Sequence, residues 1–157
     1  MKNVDELANA NLIKKPDGYY LKVTCFINKE NFKKIKKNGK EIGLDFGIKT
    51  TLTTSEGEKV DVSIGESERL KKLQRQLFRK VKGSNNRRKT INLIQREYQK
   101  LSNKKTDKAN KIVHKLKAYD CIVMQDEQIA NWHKGQFGKQ VQHSCLGLVK
   151  AKLKSLP

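Results

Sequence analysis

The sequence predicts an α/β fold, a mixed β-sheet that carries an inserted, strongly basic antiparallel helical hairpin. Three observations predict it. Ile42, Leu44 and Phe46 alternate with Gly43 and Asp45, which is the period-two pattern of a strand. Leu70, Leu73, Leu77 and Val81, then Ile91, Ile94, Tyr98 and Leu101, recur mostly at spacings of three and four. That spacing gives each of two helices one apolar stripe. Cys121-Ile-Val-Met124 is a short apolar run of buried-strand type, and it ends in Gln125, Asp126 and Glu127.

Length and charge bound the answer. A chain of 157 residues suits one domain, or one domain and a fragment of another. Its formal net charge is +19, from 35 Lys+Arg against 16 Asp+Glu. A protein this basic usually meets a polyanion, and nucleic acid is the first candidate. No run approaches the ~18 apolar residues of a membrane span, so no membrane partner is expected. The N-terminus has no apolar signal-peptide core. Cys25, Cys121 and Cys145 are odd in number and far apart, with no C-x-x-C pair. Neither a disulfide framework nor a zinc site is expected, and a reducing cytoplasm is.

The elements follow in order. Residues 1–10 are polar and are expected to be poorly tied down. Leu12-Ile13, the Pro16-Asp-Gly18 turn, and the β-branched and aromatic run Tyr19–Ile27 read as strand, turn, strand. Residues 28–40 hold six lysines and one acid, a solvated connector. Residues 1–40 thus form a hairpin and connector, and 41–157 the sheet domain, with its helical insertion at about 67–118.

The stretch Glu41–Thr54 organises the rest. Asp45 is expected mid-strand, in a segment buried on at least one face. A carboxylate there is costly unless a partner such as a metal ion neutralises it. Gly43 and Gly47 flank it on its own face, so something can approach closely. Thr50–Thr54 reads as a second strand, and Ser55-Glu-Gly57 as a turn into a third, Glu58–Ser63. The alternative is an ordinary hairpin whose Asp45 caps a turn.

Ser67 can cap a helix starting near Glu68, and Gly83-Ser-Asn-Asn86 reads as a helix-hairpin turn. A third helical segment, about Asp107–Ala118, carries Ile112, Val113 and Leu116. From Arg69 to Lys117 there are eighteen Lys+Arg and two acids, Glu97 and Asp107. Ordinary surface helices interleave both signs, and phosphates would relieve this imbalance. Arg79, Lys80, Lys82, Arg87, Arg88 and Lys89 cluster at the hairpin tip and are the expected nucleic-acid contacts.

Acids just past a buried strand are a common site arrangement in open α/β sheets. The alternative here is a strand end and a solvated loop. Ile129–Gly135 reads as a loop whose lone Trp132 plugs the core, the commoner role of a lone Trp, or stacks on a base. Gln136–Leu156 reads as one amphipathic helix with Phe137, Val141, Cys145, Leu148 or Val149, and Leu153 inward. His133 and His143 lack metal-ligand spacing and are treated as polar contacts.

The order of the pieces is specific where each piece is not. Gly43-Leu-Asp-Phe-Gly-Ile-Lys49, a meander, a basic hairpin with Lys82-Gly-Ser-Asn-Asn-Arg-Arg-Lys89, then Tyr119-Asp-Cys-Ile-Val-Met124 before acids resembles the TnpB/OrfB proteins of insertion sequences. These are related to the type V CRISPR effectors. Gln125–His133 and Phe137–Gly147 look like one branch of that family.

The resemblance implies an incomplete ribonuclease-H-like (RuvC-type) nuclease domain, magnesium or another divalent metal, and DNA and guide RNA as partners. It implies Asp45 as the first metal-binding, catalytic carboxylate. The second position falls on Gln125-Asp126 without a gap, and Gln is no anionic ligand. Glu127 is the choice for that role, and Asp126 the runner-up. The family's third carboxylate and zinc ribbon would lie in a stretch this sequence does not have, so a truncated, catalytically defective chain is expected. A non-enzymatic nucleic-acid-binding module is the alternative. A separate chain supplying the missing strand is a third.

Overall fold

The computed structural model describes residues 4–28, 35–47, 52–132 and 134–156. The first half of the lysine connector, the Ile48-Lys49 end of the family-like motif, the Thr50-Thr51 start of the expected second strand, and His133 lie outside them.

Strands β1 (Glu6–Lys15) and β2 (Gly18–Phe26) pair antiparallel as a separate two-stranded ribbon. β1 begins at Glu6, so part of the polar N-terminus is strand. The ladder draws on Asn9 and Asn11 through their backbones, whatever their side chains prefer. Both strands are largely exposed.

The main sheet contains β3 (Glu41–Asp45), β4 (Leu52–Thr54), β5 (Lys59–Val60) and β6 (Cys121–Met124), in the order β5-β4-β3-β6. The first three form an antiparallel meander, and β6 pairs with β3 in parallel. The first strand of the sheet therefore lies beside the fourth. Backbone bonds from Asn38 to Ala118 and from Asp120 to Lys40, both at 2.8 Å, extend this alignment back to the strand starts.

Helix α1 (Glu68–Phe78) is capped by Ser67, whose hydroxyl accepts from the Leu70 N–H at 3.2 Å. Gly83, at φ 82°, supplies the left-handed turn. Ser84 then caps α2 (Asn85–Leu116). Leu70, Leu73 and Ile94, with Leu77 and Leu101, form the hairpin's own small core. Val81 is 77 % exposed, because α1 has already ended and the stripe has no partner there.

The expected third helical segment is the second half of α2, which runs unbroken for 32 residues, about 48 Å. The polar stretch at Ser102–Asp107 does not break it. It marks where the apolar stripe changes partner, from α1 to the main core. Thr106 donates to the Ser102 carbonyl at 3.0 Å, and Asp107 pairs with Lys111 at 2.7 Å, so these polar groups are satisfied on the helix itself.

The expected C-terminal helix is also divided differently. α3 (Ile129–Trp132), α4 (Gly138–Gln142) and α5 (Leu146–Lys154) replace one long helix and its loop. The break at His143–Cys145 has a cause. Ser144 forms a β-bridge with Ser63, and the Cys145 N–H donates to the Val62 carbonyl at 2.9 Å. That pairing removes the segment from a helix. Val141, Cys145, Val149 and Leu153 point inward, while Phe137 and Leu148 are substantially exposed.

Ile42, Leu44, Phe46, Leu52, Val62, Ala109, Ile112, Val113 and Leu116 pack with Leu146, Val149 and Leu153 as one core. Trp132 packs against it, as the sequence suggested. The three cysteines are free. No described helix is long and apolar enough to cross a membrane.

Candidate carboxylate site and nucleic-acid interface

Alternation along β3 buries Ile42 and Leu44 and leaves Glu41 and Asp45 exposed. Asp45 is the last residue of β3 rather than a mid-strand one, and it is exposed. A strand end in water does not impose the desolvation cost that a buried site would. Among the described residues its carboxylate has no hydrogen-bond or ion-pair partner. Gly43, on the same face, is met by Ser55. The Gly43 N–H donates to the Ser55 hydroxyl at 3.0 Å, and the Ser55 N–H donates to the Gly43 carbonyl at 2.9 Å. The close approach at Gly43 is therefore made by the chain's own turn.

β6 is an edge strand with Cys121 and Val123 exposed, and not the buried strand that its apolar run suggested. Leu44 pairs with Met124. Asp45 and Gln125 are thus the next residues on adjacent parallel strands. Gln125, Asp126 and Glu127 are all exposed.

Asp126 is already engaged. Its Oδ1 lies 2.6 Å from Lys154 Nζ and 3.7 Å from Lys150 Nζ. The Lys154 hydrogen bond, aided by both ammonium charges, holds its carboxyl below the usual carboxylate range. Sequence reading missed Lys150. It is buried, its Nζ donates to the Glu127 carbonyl, and it sits 5.9 Å from the Phe46 ring centroid. A signal existed. Leu146, Val149, Lys150 and Leu153 fall on one helical stripe, and a lysine there must find a polar partner inside.

The donor set suits a divalent metal in kind but not in number. Carboxylate oxygens are the hard ligands such ions take. However, two lysines neutralise Asp126, and no three of His, Cys, Asp and Glu converge among the described residues. The described residues do not make a two-ion site.

The hairpin tip divides into two kinds of cation. Arg87 Nη1 donates to the Leu77 carbonyl at 2.9 Å and more weakly to that of Lys80, closing the C-terminal end of α1. Lys80 Nζ donates to Thr90 at 2.7 Å and to the Asn86 carbonyl at 3.2 Å. These two build the turn. Arg79, Lys82, Arg88 and Lys89 are exposed, and among the described residues their side chains have no internal partner. Along the hairpin, Glu97 pairs with Arg69 at 3.3 Å and Lys100 at 3.0 Å. Most of the positive charge remains unopposed.

A second charge cluster lies away from the tip. Glu66 takes Lys139 at 2.6 Å, Lys71, and His143 at 3.7 Å. Hydrogen bonds from Lys139 and Lys71 lower its carboxyl to about 2. A depressed folded-state pKa contributes stability that is present above the unfolded value and lost as pH falls through the folded one. The stability difference between the parent and Glu66→Gln should therefore be full near neutrality. It should shrink below about pH 4.5 and vanish near pH 2. Thermal unfolding of both proteins across that range checks it, and a difference that persists at pH 2 would refute the assignment.

Comparison with known proteins agrees with these features. Residues 23–134 match the family model OrfB_IS605, described as "Probable transposase". The chain is 36 % identical over 101 residues to a protein of Escherichia coli (strain K12) named "Putative RNA-guided DNA endonuclease InsQ", covering 62 % of this chain and 25 % of that one. It is 32 % identical over 94 residues to a "Putative RNA-guided DNA endonuclease" of Streptomyces pristinaespiralis, covering 57 % and 23 %. The chain spans about a quarter of the length of these curated relatives. The family match covers more than half of the chain and includes the Asp45 strand, the basic hairpin and β6, so the chain belongs to the OrfB_IS605 transposase family of insertion sequences.

Proposed function

We propose that the chain is the DNA- and RNA-contacting part of a RuvC-like, ribonuclease-H-type nuclease encoded by an insertion sequence. In this reading Asp45 and Glu127 are its metal-ligating carboxylates, and alone it binds nucleic acid without cutting DNA. One observation carries the reading. The first strand of the sheet pairs in parallel with the fourth, so Asp45 and the 125–127 segment emerge at the same end of adjacent strands.

Continuing the alternation past Met124 gives Glu127 the parity of Asp45 and gives Asp126 that of the core face. The hold of α5 on Asp126 through Lys154 and Lys150 fits this and favours Glu127 over the runner-up. Magnesium is the metal that exposed carboxylates of this kind would take. A pair of metal ions can activate water and stabilise a leaving oxygen when both are clamped. Two free carboxylates are too few for that clamp, hence the proposed lack of cleavage. DNA and guide RNA as partners follow from the names of the relatives.

The same neutralisation of Asp126 favours the second reading, a non-enzymatic nucleic-acid-binding module. Incubating the purified chain with supercoiled plasmid, RNA and magnesium tests both readings. Binding without nicking is expected, unchanged in Asp45→Ala. Metal-dependent nicking that Asp45→Ala abolishes would overturn the proposed inactivity and the module together.

A further inference from the structure

Two clefts flank the middle of α2. One of about 540 Å³ lies between the helical hairpin and α4, lined by Lys71, Lys105 and Lys139 together with Leu70 and Leu101. The other, of about 580 Å³, lies between α2 and the tip of the β1–β2 ribbon, lined by Lys14 and Lys15 with Gln95 and Gln99. Tyr98 and Ser102 line both, so the clefts adjoin at these two side chains. Arg96 ties the ribbon tip to α2 by donating to the Pro16 carbonyl at 3.1 Å.

We propose that the adjoining clefts form a groove for one single strand of nucleic acid, with Tyr98 as the stacking platform for a base. The inference rests on the nucleic-acid reading above and adds a place and a strand class to it. Five lysines against one glutamate line the two clefts, which suits a phosphate backbone. Charge alone would accept any polyanion. Tyr98 adds what charge lacks. It is 49 % exposed, and its hydroxyl accepts from Gln74 Nε2 at 3.1 Å, which steadies the ring at the junction. An aromatic face set in a basic groove is how single strands are held without sequence preference.

Size points the same way. Each cleft falls within the ~300–1,000 Å³ of small-ligand sites, room for a nucleotide or two. Glu66 does not close the groove. It holds Lys71 and Lys139 at the rim, and an ammonium has three donors. Glu68 takes a second donor of Lys71 at 2.9 Å. At least one donor therefore remains on each lysine.

Fluorescence anisotropy with oligo-dT, oligo-rU and a short mixed-sequence duplex tests the groove, with 2-aminopurine placed in the single strands to report stacking. Tyr98→Ala should weaken both single strands about tenfold, remove the quenching of 2-aminopurine, and leave duplex affinity unchanged. Tyr98→Phe should keep affinity and quenching. Lys14→Ala/Lys15→Ala alters only the ribbon tip, so it tests the groove even if Tyr98→Ala disturbs the hairpin. It should weaken the single strands and not the duplex. The parent's preference between oligo-rU and oligo-dT identifies which strand the groove takes. Equal loss of strand and duplex binding, or no loss in either variant, overturns the groove while the nucleic-acid reading stands. A parent chain that binds no probe overturns both.

Discussion

Replacing Arg79, Lys82, Arg88 and Lys89 together with alanine is expected to weaken binding to unrelated DNA and RNA sequences alike. These four exposed side chains have no internal partner among the described residues, so the substitution removes solvent-facing cations without dismantling the turn. Every phosphate neutralised by one cation fewer should flatten the slope of log affinity against log salt by roughly 0.7–0.9. For four such phosphates, the fall in affinity between roughly 50 and 200 mM salt should shrink by about 50- to 150-fold. Arg87 and Lys80 are left in place because their donors close the end of α1 and join it to α2. Alanine there would confound binding with folding. Anisotropy titrations over that salt range decide the matter. If affinity and slope both stay put, the hairpin is a structural coiled coil and the interface lies elsewhere, for example on the lysine-rich connector at 29–40.

The fold was legible where periodicity and capping chemistry agree. The Ser67 cap and the Gly83 turn stand where their residue types put them, and the Asp45 strand and its meander form, although Asp45 ends its strand and the expected third strand Glu58–Ser63 keeps only Lys59–Val60. Sequence reading failed where tertiary contacts decide. Nothing local distinguishes a helix break at Ser102–Asp107 from a continuous helix that changes partners there. Nothing local announces that His143–Cys145 pairs with Val62–Ile64 and so splits the last helix. The apolar run of β6 suggested burial on both faces, but the sheet packs on the core through one face only, and the other is exposed on β3 as well, at Glu41 and Asp45. A run of four residues does not carry that information.

The candidate site was legible in residue type and only in part in arrangement. The parallel pairing of β3 with β6 joins segments far apart in sequence, and the hold of Lys150 and Lys154 on Asp126 depends on where α5 docks. The hairpin cations show the same limit. Composition places Arg87 with Arg88, while the structure assigns Arg87 to an orphan helix-end carbonyl and leaves Arg88 to solvent. Tyr98 looked like one more stripe residue, and half of it remains accessible between two clefts.

Leu52→Ala should be the most destabilising of these changes. Leu52 is 0 % exposed and opens β4, a strand of three residues between β3 and β5. So short a strand has few ladder bonds, and its place depends on the core that Leu52 enters with Ile42, Leu44 and Val62. Truncating a buried leucine costs about 2–5 kcal/mol, because the forfeited transfer energy adds to the cavity left behind. That is a large part of the ~5–15 kcal/mol that holds a typical domain. At about 2–4 °C per kcal/mol for a chain of this size, the midpoint of thermal unfolding should fall by roughly 4–20 °C. Phe78→Ala is the matched control. Phe78 is larger but 89 % exposed at the end of α1, so its removal should change stability by no more than about 0.5 kcal/mol. β4 also holds β3 through the Asp45–Thr53 pair, so the strand end that carries Asp45 should loosen along with the core. Amide exchange at residues 41–46 reports that loosening independently of the melting curve. Equal costs for Leu52→Ala and Phe78→Ala would mean that the apolar interior around Leu52 is not the one that stabilises the protein in solution.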